Sequence, residues 1–282
     1  MTSELDRESL SSLLRKYHIR PDKNLGQNFL TDPTILSRIV DAAGVTDQDI
    51  VLEIGAGLGH LTGYLAKAAN EVIALELDNR LIPALEEHLS PLENVNIVQG
   101  DILDVNLVEL IQEDGYLVVA NIPYYITSSI IRNLLESARK PSKIILTIQY
   151  EVAQRVCSST GQMSILALSV RIYGEPNLVC RVPAGAFYPS PKVDSAVVRI
   201  DLHPEPLLPL EKREIFFKLI KAGFQHKRKT LRNSLSKGLG WPVSKIEALL
   251  LGANIDPSRR AETLTIPEWL EVTDHYDKIQ RA

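Results

Sequence analysis

The sequence predicts an α/β protein: a mostly parallel sheet of seven strands covered by helices, followed by a small all-helical C-terminal domain. Three observations carry this. From residue 50 to residue 149 short apolar strands alternate with helical segments, the pattern of a parallel sheet buried on both faces. The first strand runs into a glycine turn, Val51-Leu-Glu-Ile-Gly-Ala-Gly-Leu-Gly-His60. Three prolines in His203-Pro-Glu-Pro-Leu-Leu-Pro209 mark a linker, after which the strand signal stops.

Taken in order, residues 3–17 place Leu5, Leu10, Leu13 and Leu14 on one side of an amphipathic helix. The stretch from Arg20 to Leu30 is polar with one glycine and reads as a loop. Asp32 caps a helix with Pro33 at its first position, and Ile35, Leu36, Ile39 and Val40 give it an apolar face as far as Ala43. Strands follow at Ile50–Ile54, Glu71–Glu76, Val95–Gln99, Tyr116–Ala120 and Lys143–Gln149, with helices near Gly59–Ala69, Arg80–Leu89 and Thr127–Ser137. Asn177–Arg181 and Ser195–Leu202 read as antiparallel neighbours, because the segment between them is short and rich in proline. Past the linker, Ile215–Phe224, Lys227–Lys237, Val243–Leu251 and Pro267–Ile279 read as helices. Domains are therefore expected at 1–203 and 204–282.

Composition narrows the class. The 282 residues are 45% hydrophobic and 23% charged, ordinary values for a soluble globular protein. No apolar run reaches membrane-spanning length, and the N-terminus lacks a basic-then-apolar leader. Cys157 and Cys180 supply neither metal-ligand spacing nor a disulfide framework, so no metal is expected and a reducing cytoplasm is the simplest setting. The net charge of −4 hides an asymmetry: residues 1–204 carry −8 and residues 205–282 carry +4. A basic tail on an acidic body points to an anionic partner.

The strand ends carry the chemistry. Gly55, Gly57 and Gly59 let the backbone turn sharply and approach a ligand closely. The dinucleotide fingerprint requires glycine at position 60, where this chain has His60. Glu53, just before the turn, suits a cationic ligand or the organisation of the loop. Glu76, at the end of the second strand, is placed for ribose hydroxyls. Asp101, after the third, is placed for an exocyclic adenine amine. An adenosine without phosphate and with a cationic end is S-adenosyl-methionine. The fourth strand runs into Asn121-Ile-Pro-Tyr124. There the Asn121 side-chain oxygen and the Ile122 carbonyl can accept from an amine on a base, Pro123 stiffens the turn, and Tyr124 can stack on the ring. In-line alignment of such an amine with a methyl donor supplies roughly 7–11 kcal/mol.

Together these residues resemble one family, the ribosomal RNA adenine N6,N6-dimethyltransferases. The resemblance runs from about Lys23 to about Glu262. It rests on Leu25-Gly-Gln-Asn-Phe-Leu30, Glu53-Ile-Gly-Ala-Gly-Leu-Gly59, Glu76, Gly100-Asp101 and Asn121-Ile-Pro-Tyr124. It extends through Gln149 with Glu151-Val-Ala, Phe187-Tyr-Pro-Ser-Pro-Lys-Val-Asp-Ser195 and Arg228-Lys-Thr-Leu-Arg-Asn233. It departs at Gln225-His226-Lys227, where a more arginine-rich lead-in is expected, and at Tyr150, where lysine is more usual.

The resemblance implies a Rossmann-like S-adenosyl-methionine-dependent methyltransferase fold. It implies methylation of the N6 amines of two adjacent adenines in the 3′-terminal hairpin loop of small-subunit (16S) rRNA, within the immature subunit, by a monomer with a role in subunit biogenesis. Asn28, Leu30, Gly55, Glu76, Asp101 and Asn121 are then expected to contact the cofactor, with Glu53 and Gly57 supporting its loop. Asn121, Tyr124 and Phe187 form the expected catalytic set. Phe187 is an exposed ring facing the adenine opposite Tyr124, held by Pro189 and Pro191. Lys227, Arg228, Lys229 and Arg232 belong to the expected RNA surface: from Glu211 to Arg232 there are eight basic residues and two acidic ones. Two alternatives stay open, a large-subunit rRNA adenine methyltransferase of the macrolide-resistance type and a factor that chiefly binds pre-rRNA during assembly.

Overall fold

The computed structural model describes residues 10–22, 25–122, 127–158, 161–226 and 228–281. The chain divides into two compact units, Met1–Ala153 with Pro176–Leu202, and Gln154–Glu175 with His203–Ala282.

The first unit is built on strands β1 (Phe29–Leu30), β2 (Ile50–Ile54), β3 (Glu71–Glu76), β4 (Val95–Gln99), β5 (Leu117–Asn121), β6 (Lys143–Gln149), β7 (Gly174–Val182), β8 (Phe187–Tyr188) and β9 (Ser195–Leu202). Seven of them form one sheet in the order β4-β3-β2-β5-β6-β9-β7. β2 pairs in parallel with β3 and β5, β3 with β4, and β5 with β6. β9 runs antiparallel to β6, from Lys143↔Asp201 to Gln149↔Ser195. Residues Val51, Leu52, Val72, Ala74 and Val118 are wholly buried, which is why these strands read as continuous apolar runs rather than as alternating ones. The chain winds outward from β2 to β4, then returns to the other side of β2 with β5. That reversal opens a crevice at the carboxyl ends of β2 and β5.

Local signals set the helices of this unit: α1 (Leu10–Lys16), α2 (Pro33–Ala43), α3 (His60–Ala66), α4 (Ile82–Leu89), the single turn α5 (Leu107–Leu110) and α6 (Thr127–Glu136). Asp32 caps α2, its carboxylate accepting from the Thr34 and Ile35 N–H groups, and Gly44 ends it at φ 61°. The segment expected to be loop up to Leu30 closes in β1, which pairs antiparallel with β8 through Phe29↔Tyr188 and Leu30↔Phe187.

α7 (Tyr150–Val156) runs from the first unit into the second, which also holds α8 (Ile165–Arg171), α9 (Leu210–Phe224), α10 (Leu231–Leu239), α11 (Val243–Gly252) and α12 (Ile266–Arg281). Phe216, Leu219, Leu235, Leu249 and Trp269 are fully buried among them. α9 and α10 cross closely: a Cβ on Gly238 would lie 2.5 Å from that of Ala222. The segment 154–175, which the sequence groups with the sheet, belongs with these helices. Tyr173 and Ile172 carbonyls accept from the His203 and Leu207 N–H groups at 2.8 Å, and Met163 N–H donates to Glu262 O at 3.1 Å. Among the described residues no helix is long and apolar enough to cross a membrane.

Candidate active site

The glycine turn after β2 is left-handed at three positions, Gly55 (φ 78°), Gly57 (φ 61°) and Gly59 (φ 84°). Such backbone disfavours any residue with a Cβ, and one would be crowded there. At Gly55 it would lie 3.2 Å from the Asn121 carbonyl oxygen, and at Gly57 3.0 Å from the Phe29 ring. The turn is tied to the end of β3. The Glu76 carboxylate accepts from Gly57 N–H at 2.7 Å and from Asp78 N–H at 2.8 Å. Burial raises the Glu76 pKa, and these hydrogen bonds oppose the rise.

Glu53 is 1% exposed, and among the described residues its Oε2 has no hydrogen-bond partner. Burial pushes its pKa up to about 8; the Thr62 hydroxyl draws it down and the Glu76 carboxylate adds to the rise. A buried carboxylate oxygen without a protein partner is a poor stabiliser of a fold and a ready partner for a cation. His60, in the place of the dinucleotide glycine, stacks on His88 at 5.6 Å between centroids. Burial lowers its pKa to about 4, with the His88 charge adding to the effect, so its ring is neutral near pH 7.

The segment Leu25–Leu30 closes the crevice and is pinned from three sides. Gln27 donates from Nε2 to Asp78 Oδ2 and accepts at Oε1 from Asp22 N–H, both at 2.7 Å. Asn121 Nδ2 donates to the Asn28 carbonyl at 3.1 Å. The β1–β8 pairing continues into a Thr31 N–H to Ala186 O bond at 2.9 Å. With its nitrogen committed to Asn28, the Asn121 amide keeps Oδ1 as its acceptor. Asp101 stands just past β4, and its Oδ1 accepts from Leu103 N–H at 2.9 Å.

The resulting cleft holds about 820 Å³ of space, counting solvent at its mouth, and brings together Asn28, Gly55, Gly57, Glu76, Asp101 and Asn121. A smaller recess adjoins it through Phe29, Gly55, Gly57 and Asn121 and is lined by Leu30 and Glu53. A glycine cradle, an unpartnered buried carboxylate oxygen and two further acids at strand ends fit S-adenosyl-methionine.

Tyr124 and Lys227 lie outside the described residues. Phe187 is not the exposed ring expected: it is 5% exposed and packs in the core with Leu30, while Tyr188 is 49% exposed. The two-residue period of β8 turns one ring inward and the next outward. Arg228, Lys229 and Arg232 belong to the second unit, where Arg232 pairs with Glu247 at 2.5 Å.

Sequence reasoning missed the Gln27–Asp78 latch and the apolar walls Leu77, Ile102 and Ile122. Asp78, two residues after Glu76, was the only local hint of the latch. Tyr150, the departure from the family pattern, carries the Arg181 guanidinium over its ring at 4.8 Å. Arg181 in turn pairs with Asp194 at 2.6 Å, and Asp194 accepts from Ala184 N–H at 2.9 Å, anchoring the loop that bears Phe187.

The family described as ribosomal RNA adenine dimethylase matches residues 20–278. A protein of Dehalococcoides mccartyi (strain CBDB1) named ribosomal RNA small subunit methyltransferase A is 45% identical over 265 residues, 94% of this chain and 91% of its own. A protein of the same name from Bacillus licheniformis is 42% identical over 277 residues, 95% of each chain. Among solved structures, a dimethyladenosine transferase from Plasmodium falciparum matches with a TM-score of 0.78 at 26% identity, covering 89% of this chain and 98% of its own. The 23S rRNA methyltransferase ErmE matches with a TM-score of 0.72 at 30% identity, covering 89% and 100%.

Proposed function

The chain belongs to the ribosomal RNA adenine dimethylase family, and from that premise we propose that it dimethylates two adjacent adenines in the 3′-terminal hairpin loop of small-subunit rRNA. It is an S-adenosyl-methionine-dependent rRNA adenine dimethyltransferase with a Rossmann-like fold. The observation that supports methylation of an amine is the Asn121 amide, fixed through Asn28 at the edge of the cleft with its oxygen left to accept; the small-subunit reading is supported by the 42–45% identity to small-subunit enzymes.

When bound, S-adenosyl-methionine supplies a methyl group made electrophilic by a sulfonium. Glu53 and the Gly55–Gly57 turn hold its cationic end, the cation favouring release of the proton that burial keeps on the free Glu53. Glu76 receives a ribose hydroxyl, because a carboxylate has about four acceptor sites and the backbone N–H groups of Gly57, Leu77 and Asp78 do not fill them all. Asp101 receives the adenine amine, and Asn28 and Leu30 close over the ligand. Asn121 Oδ1 and the Ile122 carbonyl accept the two N–H groups of the target amine, which draws its lone pair out of conjugation and orients it. A strong general base is unnecessary, since the proton can leave after transfer; catalysis is mainly alignment. Tyr124 stacks on the base; Phe187, buried in the core, braces the site from behind through its packing with Leu30. Lys227, Arg228, Lys229 and Arg232 meet phosphates, and the target base is flipped out of its stack. The partner is the immature small subunit, engaged in the cytoplasm by a monomer.

A large-subunit specificity like that of ErmE is the second reading, favoured by the 30% identity to that enzyme and disfavoured by the 42–45% identity to small-subunit enzymes. Tritiated S-adenosyl-methionine and purified chain should label small subunits lacking the modification, with label mapping to two adjacent adenines. Label confined to large-subunit RNA would overturn the proposal.

A further inference from the structure

Building on the rRNA methyltransferase reading, we infer that a second groove on the first unit holds a nucleotide flanking the target adenine. Its base stacks on Tyr188 and its phosphate meets Arg20 and His18. The groove holds about 1120 Å³ of space, counting solvent at its open mouth, and is bounded by Arg15, His18, Arg20, Pro21 and Tyr188.

Tyr188 is the feature that needs a partner. A large ring left 49% exposed on a two-residue strand gains little where it stands. Its strand neighbour Phe187 is buried, and across the ladder Tyr188 faces Phe29. The basic wall opposite is rigid. α1 ends with Ile19 N–H bonded to Leu14 O at 2.8 Å and with His18 in a left-handed conformation, φ 54°, uncommon outside glycine. Leu14 and Ile19 lock that turn into the apolar cluster that also contains Phe29. One core therefore sets both the cationic side chains and the strand that carries the ring.

The chemistry selects a nucleotide. Among the described residues that bound the groove none is acidic, although residues 1–204 carry a net charge of −8. An aromatic face offers sequence-tolerant stacking to any base, and neighbouring cations track the backbone, the usual combination for single-stranded nucleic acid. Tyr188 follows Phe187 directly, and Leu30, the ladder partner of Phe187, lines the recess beside Glu53. The groove thus lies on the outward face of β8, joined to the cofactor recess through the β1–β8 ladder, and we place the strand that flanks the flipped adenine along it.

The test uses the full chain and a hairpin-loop RNA with 2-aminopurine placed in turn at the two nucleotides flanking the target adenine. Wild type and Tyr188→Phe should change 2-aminopurine fluorescence at one of the two positions, whereas Tyr188→Ala should not. Tyr188→Ala should raise the RNA Kd roughly 5- to 100-fold with cofactor affinity unchanged. Arg20→Gln, which leaves β8 untouched, should weaken RNA binding and shallow the slope of log affinity against log salt by about one. Wild-type fluorescence and Kd in both Tyr188→Ala and Arg20→Gln would overturn the groove. If the wild type methylates small subunits while those variants bind normally, the groove alone falls. If the wild type methylates no small-subunit RNA, the proposed function falls, and the binding measurements still decide the groove.

Discussion

Two side chains in the cleft make opposite kinds of statement. Asn121 acts through a hydrogen bond already made, its Nδ2 on the Asn28 carbonyl at 3.1 Å, which in the proposed mechanism leaves its oxygen to the target amine. Asn121→Ala should leave cofactor binding mostly intact and lower the rate of methyl transfer by about 100-fold or more, by analogy with the loss of one positioned hydrogen-bonding group in other active sites. Equilibrium titration of the cofactor and single-turnover labelling check this; near-normal turnover would remove the amine-positioning argument. Glu53 acts through a bond not made. Its folded-state pKa of about 8 stands above the ordinary carboxylate value, so the folded chain keeps a proton that the unfolded chain releases. The stability that follows is fully present below about pH 4.5 and is lost as pH rises toward 8. His60, lowered to about 4, contributes in the opposite sense, but only below about pH 6.5. Between pH 7 and 8.5 the Tm of cofactor-free protein should therefore fall, and Glu53→Gln should flatten that fall.

At the scale of elements, the proposed cofactor cradle is β2, its turn and α3. Their geometry demands glycine through positive φ at residues 55, 57 and 59, and Gly57 also donates the N–H that fixes Glu76. Gly57→Ala should cost about 1–2 kcal/mol for the left-handed backbone alone, with added crowding against Phe29. It should lower the Tm by several degrees and weaken cofactor binding, both measurable on one sample by thermal melts with and without ligand. An unchanged Tm would mean that the turn relaxes to a geometry any residue accepts. The β1–β8 ladder is the other decisive element. Four residues join the Leu25–Leu30 segment to the loop of Phe187 and Tyr188, so the proposed cofactor and RNA sites are coupled through two strands of minimal length.

For the whole molecule, the cut between units does not follow the proline linker alone. Segment 154–175 is grouped with the helices after residue 203. Backbone bonds from His203 and Leu207 to residues 173 and 172, and the Arg213 guanidinium over the Tyr173 ring at 5.1 Å, tie it there. A fragment of residues 204–282 should consequently show helical circular dichroism without a cooperative melt. A sharp two-state transition in that fragment would show that 154–175 is dispensable to the unit.

What the sequence determined by itself was local or periodic. Apolar runs became parallel strands, Asp32 began a helix that ran as far as Ala43, and glycines at 55, 57 and 59 marked a sharp turn. Acids at residues 53, 76 and 101 and the amide at 121 were legible because a parallel sheet gathers consecutive strand ends at one edge. Helices α7 and α8 were not, since their apolar faces are short and their partners lie beyond intervening chain. Tertiary structure alone decided which way the Asn121 amide points, because its partner is 93 residues away. It alone decided that Phe187 turns inward and Tyr188 outward, because a two-residue strand has no face until β1 pairs with it. Local pattern specifies an element and its ends; the direction of each functional side chain depends on contacts that exist only once distant segments have met.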